Sequence, residues 1–239
     1  MRKVAVLARR ELRAYFDSPV AYIVLVVFLL LSGWLVFSTL FLLGEADLRQ
    51  LFTPGLLSPA LLLVILAPAI TMRLVAEERK SGSLELLCSL PVSDWQVVLG
   101  KFLGALGLAT VALALTLAYP LTVTWLGPLD WGGVLAGYLG LLLFSAALLA
   151  IGLACSALTS NQIVAFIAAF GISAVLYFVY WLQFFLPEWL APAADYLALS
   201  GHLDNLARGV IDLRDVTYYL TLTAGALLLS ERALARQHA

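Results

Sequence analysis

Residues 131–187 decide the fold, and they read WGGVLAGYLGLLLFSAALLAIGLACSALTSNQIVAFIAAFGISAVLYFVYWLQFFLP. No charged residue occurs in this stretch. A helix needs about 20 mostly apolar residues to cross a bilayer, so the stretch is long enough for two crossings. The polar cluster within 156–162 is the natural turn between them. We therefore predict membrane-spanning helices at 133–158 and 163–186.

The composition of the whole chain agrees with a lipid environment. Of its 239 residues, 63% are hydrophobic and 12% are charged. A soluble domain is typically about 45–50% apolar and about 25% charged. The class is therefore an all-α integral membrane protein. The net charge of −1 gives no case for a nucleic-acid partner, and two cysteines form neither a disulfide framework nor a zinc site.

Four more apolar stretches predict spans at 20–43, 56–75, 102–126 and 213–230. The first follows a basic N-terminus but is too long for the core of a signal peptide, so we expect it to be retained. The last is short, although Asp212 and Asp215 can start its helix at 213. We predict six spans within a single transmembrane domain, residues 1–239.

The placement of basic residues predicts the orientation. Eleven of the 14 lysines and arginines fall on the side of the N-terminus when six spans are drawn. Basic residues concentrate on the cytoplasmic side of membrane proteins, so both termini are expected in the cytoplasm. The segment 77–95, between the second and third spans, is then cytoplasmic as well.

Two further segments resemble membrane-surface elements. Residues 1–17 carry an apolar helical stripe beside several arginines, which predicts an interfacial helix; an ordinary basic anchor is the alternative. Residues 187–212 predict short outer helices, with Ser200 as a cap and an Asp204–Arg208 pair one turn apart. We expect His202 and His238 to be isolated and solvated or interfacial.

The segment 77–95 has the pattern of a short amphipathic helix. Ser83 can cap it, Glu85 lies in its first turn, and Pro91 ends it. Ser93 and Gln96 then form a capping box that starts the next helix. A short helix with apolar anchors and flanking charges suits docking into a groove on a partner protein. The alternative is a loop that packs only on its own helix ends.

Several catalytic and transport chemistries lack their residues. The sequence has no G-x-x-x-x-G-K-[ST] phosphate loop, no G-x-S-x-G and no H-E-x-x-H. The predicted spans have no Asp, Glu, Lys or His in their middles, which disfavours a proton-driven transporter. Gly100-x-x-x-Gly104 and Gly133-x-x-x-Gly137 predict close helix packing of a general kind.

The run EERKSGSLELL at 77–87, followed by Pro91-Val92-Ser93 and Gly100-Lys101, resembles the signature of ABC-2-type permeases, the membrane subunits of ABC exporters. The tail DNLARGVID at 204–212 is similar to the GldF-like branch, named for a gliding-motility permease. The basic N-terminal helix, six spans and outer helices fit the same family over nearly the whole chain.

The resemblance implies a multi-pass protein of the bacterial inner membrane that is not itself an enzyme. Its cytoplasmic coupling helix would contact a separate ABC ATPase subunit that binds ATP and Mg²⁺, so this chain would hold no cofactor or metal. A second permease chain, identical or related, would complete the complex, with membrane lipid around it and room for an accessory extracytoplasmic subunit. The residues expected to couple to the ATPase are Glu77, Glu78, Arg79, Lys80, Gly82, Leu84, Glu85, Leu86, Leu87 and Pro91.

Two other functions remain open from the residues. The same helix could hold an ATPase complex in the membrane without transport, as an anchor or mechanical scaffold. A secondary transporter that binds its substrate or Na⁺ through backbone carbonyls is the other alternative.

Overall fold

The protein is all-helical in the part of the chain that its computed structural model describes, which is residues 2–43, 48–83, 92–182 and 187–236, with no strand in these ranges. This confirms the predicted fold class. The helices in these ranges are α1 Arg2–Phe16, α2 Pro19–Leu43, α3 Arg49–Phe52, α4 Pro59–Thr71, α5 Ala76–Ser81, α6 Asp94–Leu115, α7 Ala118–Val123, α8 Trp131–Leu158, α9 Gln162–Leu182, α10 Ala191–Leu197, α11 Leu199–Ala207 and α12 Leu213–Ala235.

Within the described ranges, five helical stretches are long and apolar enough to cross a membrane: Ala21–Leu42, Pro59–Ser81, Asp94–Val123, Trp131–Leu158 and Gln162–Leu182. The protein is therefore a membrane protein. The predicted sixth span corresponds to α12, which has 23 residues but carries Arg214, Asp215, Glu231 and Arg232 near its ends. It is not among the five, and the count of six stays a prediction.

The second and third spans are interrupted rather than continuous. We predicted 56–75 for the second; the structure has α4, a turn at 72–75, and then α5. The third, predicted at 102–126, begins earlier with α6 and continues as α7 after a break at 116–117. The predicted capping box at the start of α6 is confirmed: Ser93 Oγ accepts from the Gln96 amide, and Gln96 accepts from the Ser93 amide.

Helix α8 is the centre of the bundle. Most of its C-terminal half is buried, including Ala147, Leu148 and Leu153, none of which is exposed at all. Helices α4, α6, α9, α11 and α12 all pack on it, and α12 does so most extensively. The uncharged stretch that decided the fold therefore supplies the core helix against which the others are arranged.

The bundle has two distinct ends. At one end, which we call the α1 end, lie α1, α5, the first half of α6 and the last turn of α8. At the other, the α11 end, lie α3, α10, α11 and the first turns of α8 and α12. Gly137 of α8 faces the ring of Phe52 in α3, and a Cβ on Gly140 would lie 2.9 Å from Leu206 Cβ in α11. The glycines of α8 thus allow the short helices of the α11 end to pack closely against it.

The prediction for His202 was wrong, because this histidine is buried and paired. Its Nδ1 lies 2.6 Å from Asp215 Oδ1, and its Nε2 lies 3.0 Å from the carbonyl oxygen of Tyr196. Asn205 donates to the other oxygen of Asp215 at 3.1 Å, and the Tyr218 ring stacks on the imidazole with centroids 4.1 Å apart. The pair fastens α11 to the first turn of α12.

Other predictions at this end had mixed outcomes. The Asp204–Arg208 ion pair is confirmed. Ser200 does not cap α11; instead its hydroxyl donates to the Tyr177 carbonyl at 2.7 Å. Asp212 does cap α12, accepting from the Arg214 amide at 2.9 Å. Asp215 does not take its predicted capping role, because its carboxylate contacts His202 instead.

Candidate functional site

The candidate site is the α1 end, where the segment predicted to couple to a partner begins. Of the residues assigned to that coupling, the structure describes Glu77, Glu78, Arg79, Lys80 and Gly82, and it places the first four on α5. The remaining predicted residues lie outside the described residues; they are Leu84, Glu85, Leu86, Leu87 and Pro91.

Ser156 of α8 holds the start of α5 in place. Its Oγ accepts hydrogen bonds from the amides of Val75 and Ala76, both at 3.1 Å, and donates to the Met72 carbonyl at 3.0 Å. The amides at a helix start have no partner within the helix, so an oxygen from another element must supply one. Arg79 adds a second link by donating to the Ala157 carbonyl at 2.6 Å. Helix α5 is therefore fixed to the end of the core helix.

Gly82 ends α5 in a conformation that favours glycine. Its φ is +74°, in the left-handed region, and its amide donates to the Arg79 carbonyl at 3.3 Å. A side chain at this position would meet the backbone strain of the left-handed region. The glycine thus directs the chain out of α5 and into the segment 84–91.

Four charged residues from three helices meet beside α5. Lys101 Nζ of α6 lies 2.7 Å from Glu78 Oε1 of α5 and 3.5 Å from Glu11 Oε1 of α1. Arg10 Nη2 of α1 lies 2.6 Å from Glu11 Oε1 and 3.6 Å from Glu78 Oε1. Two cations and two anions balance within this charge cluster, which we define as Arg10, Glu11, Glu78 and Lys101.

A glycine stripe on α6 lets α1 approach closely. A Cβ on Gly100 would lie 2.5 Å from Leu7 Cβ, and one on Gly104 would lie 2.5 Å from Glu11 Cβ. Contacts that short do not occur between real side chains. The Gly100-x-x-x-Gly104 pattern therefore has a specific role: it is the seat of the N-terminal helix. The apolar stripe of α1 faces this seat, and its placement at the membrane surface stays a prediction.

Tyr15 connects α1 to the end of α4. Its hydroxyl donates to the Ile70 carbonyl at 2.9 Å, and the Arg73 guanidinium lies over its ring, 5.3 Å from the centroid. Burial raises the pKa of the Tyr15 phenol, and nearby Arg73 lowers it by a smaller amount. The phenol thus keeps its proton and its hydrogen bond. A cavity of about 240 Å³ opens beside these residues and is also lined by Glu77 and Glu78.

The sequence had drawn attention to α5 but not to the residues that hold it. Lys101 had been noted in the family-like signature and among the basic residues, Ser156 had been noted in the polar cluster of a turn, and Glu11 had not been singled out. The signal available in the sequence was a lysine that directly follows a glycine near the start of an apolar helix. Their partners lie far away in sequence, and for that reason spacing alone could not connect them.

The arrangement links one short helix to three others. Helix α5 contacts α8 through Ser156 and Arg79, and it contacts α6 and α1 through the charge cluster. Among the described residues no group of three or more His, Cys, Asp or Glu side chains could hold a metal ion.

Removing the Ser156 hydroxyl should loosen α5. In Ser156→Ala the amides of Val75 and Ala76 lose their acceptor, and leaving buried donors unsatisfied costs about 1–3 kcal/mol. We expect an apparent Tm in detergent lower by roughly 2–4 °C per kcal/mol lost. The matched control is Ser145→Ala in the same helix, because Ser145 is equally buried but bonds only to its own helix at Leu141. Equal shifts in the two variants would contradict the anchoring role.

Comparison with known proteins supplies the family. The family model described as "ABC-2 family transporter protein" matches residues 48–200, which include α5, α6 and the core helix α8. Two similar curated proteins are the probable multidrug ABC transporter permeases YbhR of Escherichia coli K12 and of Escherichia coli O157:H7. Each is 32% identical over 125 residues, which is 52% of this chain and 33% of the relative. The match thus spans about a third of the length of these relatives.

Proposed function

We propose that this chain, which belongs to the ABC-2 family of transporter proteins, is the membrane subunit of an ATP-driven ABC exporter. The observation that carries the proposal is the anchoring of α5. This helix leads through Gly82 into the segment that resembles a coupling helix, and it is linked to α1, α6 and α8. A segment held in this way can pass an external push into the membrane helices.

The energy would come from a separate subunit. The sequence has no phosphate-binding loop, so we assign ATP and Mg²⁺ to a partner ATPase. The partner would dock on segment 77–95, with Leu84, Leu86 and Leu87 as apolar anchors and the neighbouring charges setting the register. Helix-in-groove docking of this kind buries the anchors and leaves the charges at the rim.

The proposed orientation places the α1 end in the cytoplasm of a bacterium and the chain in its inner membrane. The concentration of lysine and arginine on that side supports this placement. Helix α12 would be the sixth span, which returns the C-terminus to the cytoplasm. The charged residues of α12 lie near its two ends, and residues 216–230 between them carry no charge, which supports this placement.

A complete transporter would contain two permease chains above two ATPases, with an accessory extracytoplasmic subunit as a further component. We place the chain in the GldF-like branch on the resemblance of residues 204–212. The names of the YbhR relatives make small drug-like compounds the first substrates to test. ATP-driven closure of the two ATPases would push on the coupling segment and shift the bundle between inward-facing and outward-facing arrangements.

The test is a charge reversal in the coupling segment. We expect Glu85→Lys to insert into the membrane normally but to reduce ATPase binding and stimulation at least about tenfold, since disturbing a charged interface contact costs roughly 2 kcal/mol or more. The measurement is co-purification with the ATPase, followed by vanadate-sensitive ATP hydrolysis in liposomes. Glu188→Lys is the control, an exposed glutamate distant from α5.

Three outcomes separate the functions. Substrate-stimulated ATP hydrolysis that Glu85→Lys abolishes supports the exporter. ATPase binding without any substrate response supports a membrane anchor or mechanical scaffold instead. Substrate uptake by liposomes that contain this chain alone would overturn the proposal in favour of a secondary transporter.

A further inference from the structure

Lys101 is a buried cation in a helix that enters the membrane. It lies in the second turn of α6, and its side chain is only 2% exposed. An ammonium group loses several kcal/mol of hydration on burial, so it is retained only where anions compensate it. Neighbouring α6 residues are glycine and apolar residues, and the compensation must come from other helices.

That compensation comes from two helices at once. Glu78 of α5 and Glu11 of α1 each direct a carboxylate oxygen at Lys101 Nζ, at 2.7 and 3.5 Å. The second oxygen of Glu78 is buried with no hydrogen-bond donor among the described residues. The Glu78 carboxylate thus depends on Lys101 and Arg10 for its stabilisation. Lys101 Nζ makes no hydrogen bond among the described residues, so charge attraction holds its contact with Glu78.

The glycine seat makes the contact with α1 continuous. Helix α1 lies against Gly100 and Gly104 of α6, where α6 has no side chain to hold the two helices apart. Helix α1 has no comparably extensive contact with any other described helix. A movement of α6 therefore carries α1 with it. Helix α5 itself is joined to the pair chiefly through the charge cluster, since the Tyr15 contact of α1 reaches the end of α4 and Arg73 but not α5.

From this geometry we propose that Lys101 is the positioning residue that couples α5 to α1 and α6, so that displacement of the coupling segment reaches the N-terminal helix. The inference rests on the proposed function and adds the route by which the push leaves α5. The ammonium group of Lys101 has a narrow range of favourable positions, because it is only 2% exposed and has no water to replace its anionic partners. Displacement of α5 must either break the cluster or move α1 and α6.

The linkage is testable in the purified chain without any ATPase. Ser156→Ala disturbs α5 at its contact with α8, a helix that makes no extensive contact with α1. With Lys101 present, we expect this change to speed backbone amide exchange in residues 7–15 of α1 about fivefold, the size of a typical coupling within one salt-bridge network.

The same change is then made in a chain without the linkage. Lys101→Met with Glu78→Gln removes both buried charges of the closest pair and avoids leaving one unpaired, so the fold should keep its stability. In this background Ser156→Ala should leave exchange in α1 unchanged. Lys80→Met is the control background, since Lys80 is an exposed lysine on the same helix, and there the fivefold effect should persist. An equal response of α1 in all backgrounds would overturn the inference.

A second arm uses the assembled complex with its ATPase. In complexes matched for the amount of bound ATPase, the Lys101→Met, Glu78→Gln chain should lose at least about tenfold of the substrate stimulation, while the exposed control Glu188→Lys keeps it. Full stimulation with the pair removed would overturn the inference. If the wild-type complex shows no stimulation, the proposed function fails, and the exchange measurements still decide the linkage.

Discussion

Gly104→Leu should detach the N-terminal helix from the bundle. A Cβ at this position already lies 2.5 Å from Glu11 Cβ and 3.3 Å from the Ala8 carbonyl oxygen, and the latter is backbone that cannot rotate away. Forcing a larger side chain into such a contact costs typically about 1–3 kcal/mol and occasionally more. We expect the upper part of this range, because leucine would separate α1 from α6 and pull Glu11 away from Lys101.

The measurement is the apparent Tm of the purified chain in detergent, together with proteolysis of the first 16 residues. The matched control is Gly225→Leu in α12, since a Cβ built on Gly225 meets no described atom within 4 Å apart from its chain neighbours and the nearby backbone of its own helix. The control should retain the wild-type Tm and a protected N-terminus. If Gly104→Leu behaves like the control, the glycine stripe is not the seat of α1.

The other large effect is expected at the α11 end, where His202→Leu should destabilise the protein by roughly 3–5 kcal/mol. Asp215 is 2% exposed, and the substitution leaves its carboxylate with Asn205 as its remaining side-chain partner. Removing one member of a buried pair is costly because the other charge stays in a medium that does not solvate it.

His202 makes two polar contacts that the substitution removes. Its Nδ1 lies beside the Asp215 carboxylate, and its Nε2 lies beside the Tyr196 carbonyl. The substitution therefore removes a buried polar link between α11 and the first turn of α12.

Thermal unfolding in detergent checks this prediction against Arg208→Leu. Like His202, Arg208 pairs with an aspartate; its partner is Asp204 of α11, and the Arg208 side chain is 66% exposed. Surface pairs contribute about 0–1 kcal/mol, so the control should lose little. A decrease in Tm for His202→Leu no larger than that for Arg208→Leu would show that burial does not increase the contribution of the His202–Asp215 pair to stability.

Local features of the chain were predictable because their causes are local. The capping box at Ser93 and Gln96 and the Asp204–Arg208 pair each depend on residues three or four apart. The interruption of the second span was not predicted, although Pro68 lay within it. The break depends on Ser156, more than 70 residues later, which satisfies the amides that the turn exposes.

The sequence by itself determined that this is an all-helical membrane protein, because apolar content and charge-free length decide whether lipid is the better solvent. It also pointed to the segment that begins at Glu77. Only the tertiary structure decided what that segment is attached to. Lys101, Glu78 and Glu11 belong to separate helices, and their meeting depends on the glycines that let α1 lie against α6. Electrostatic pairing in a buried site depends on distances of a few ångströms, and these follow from the packing of whole helices.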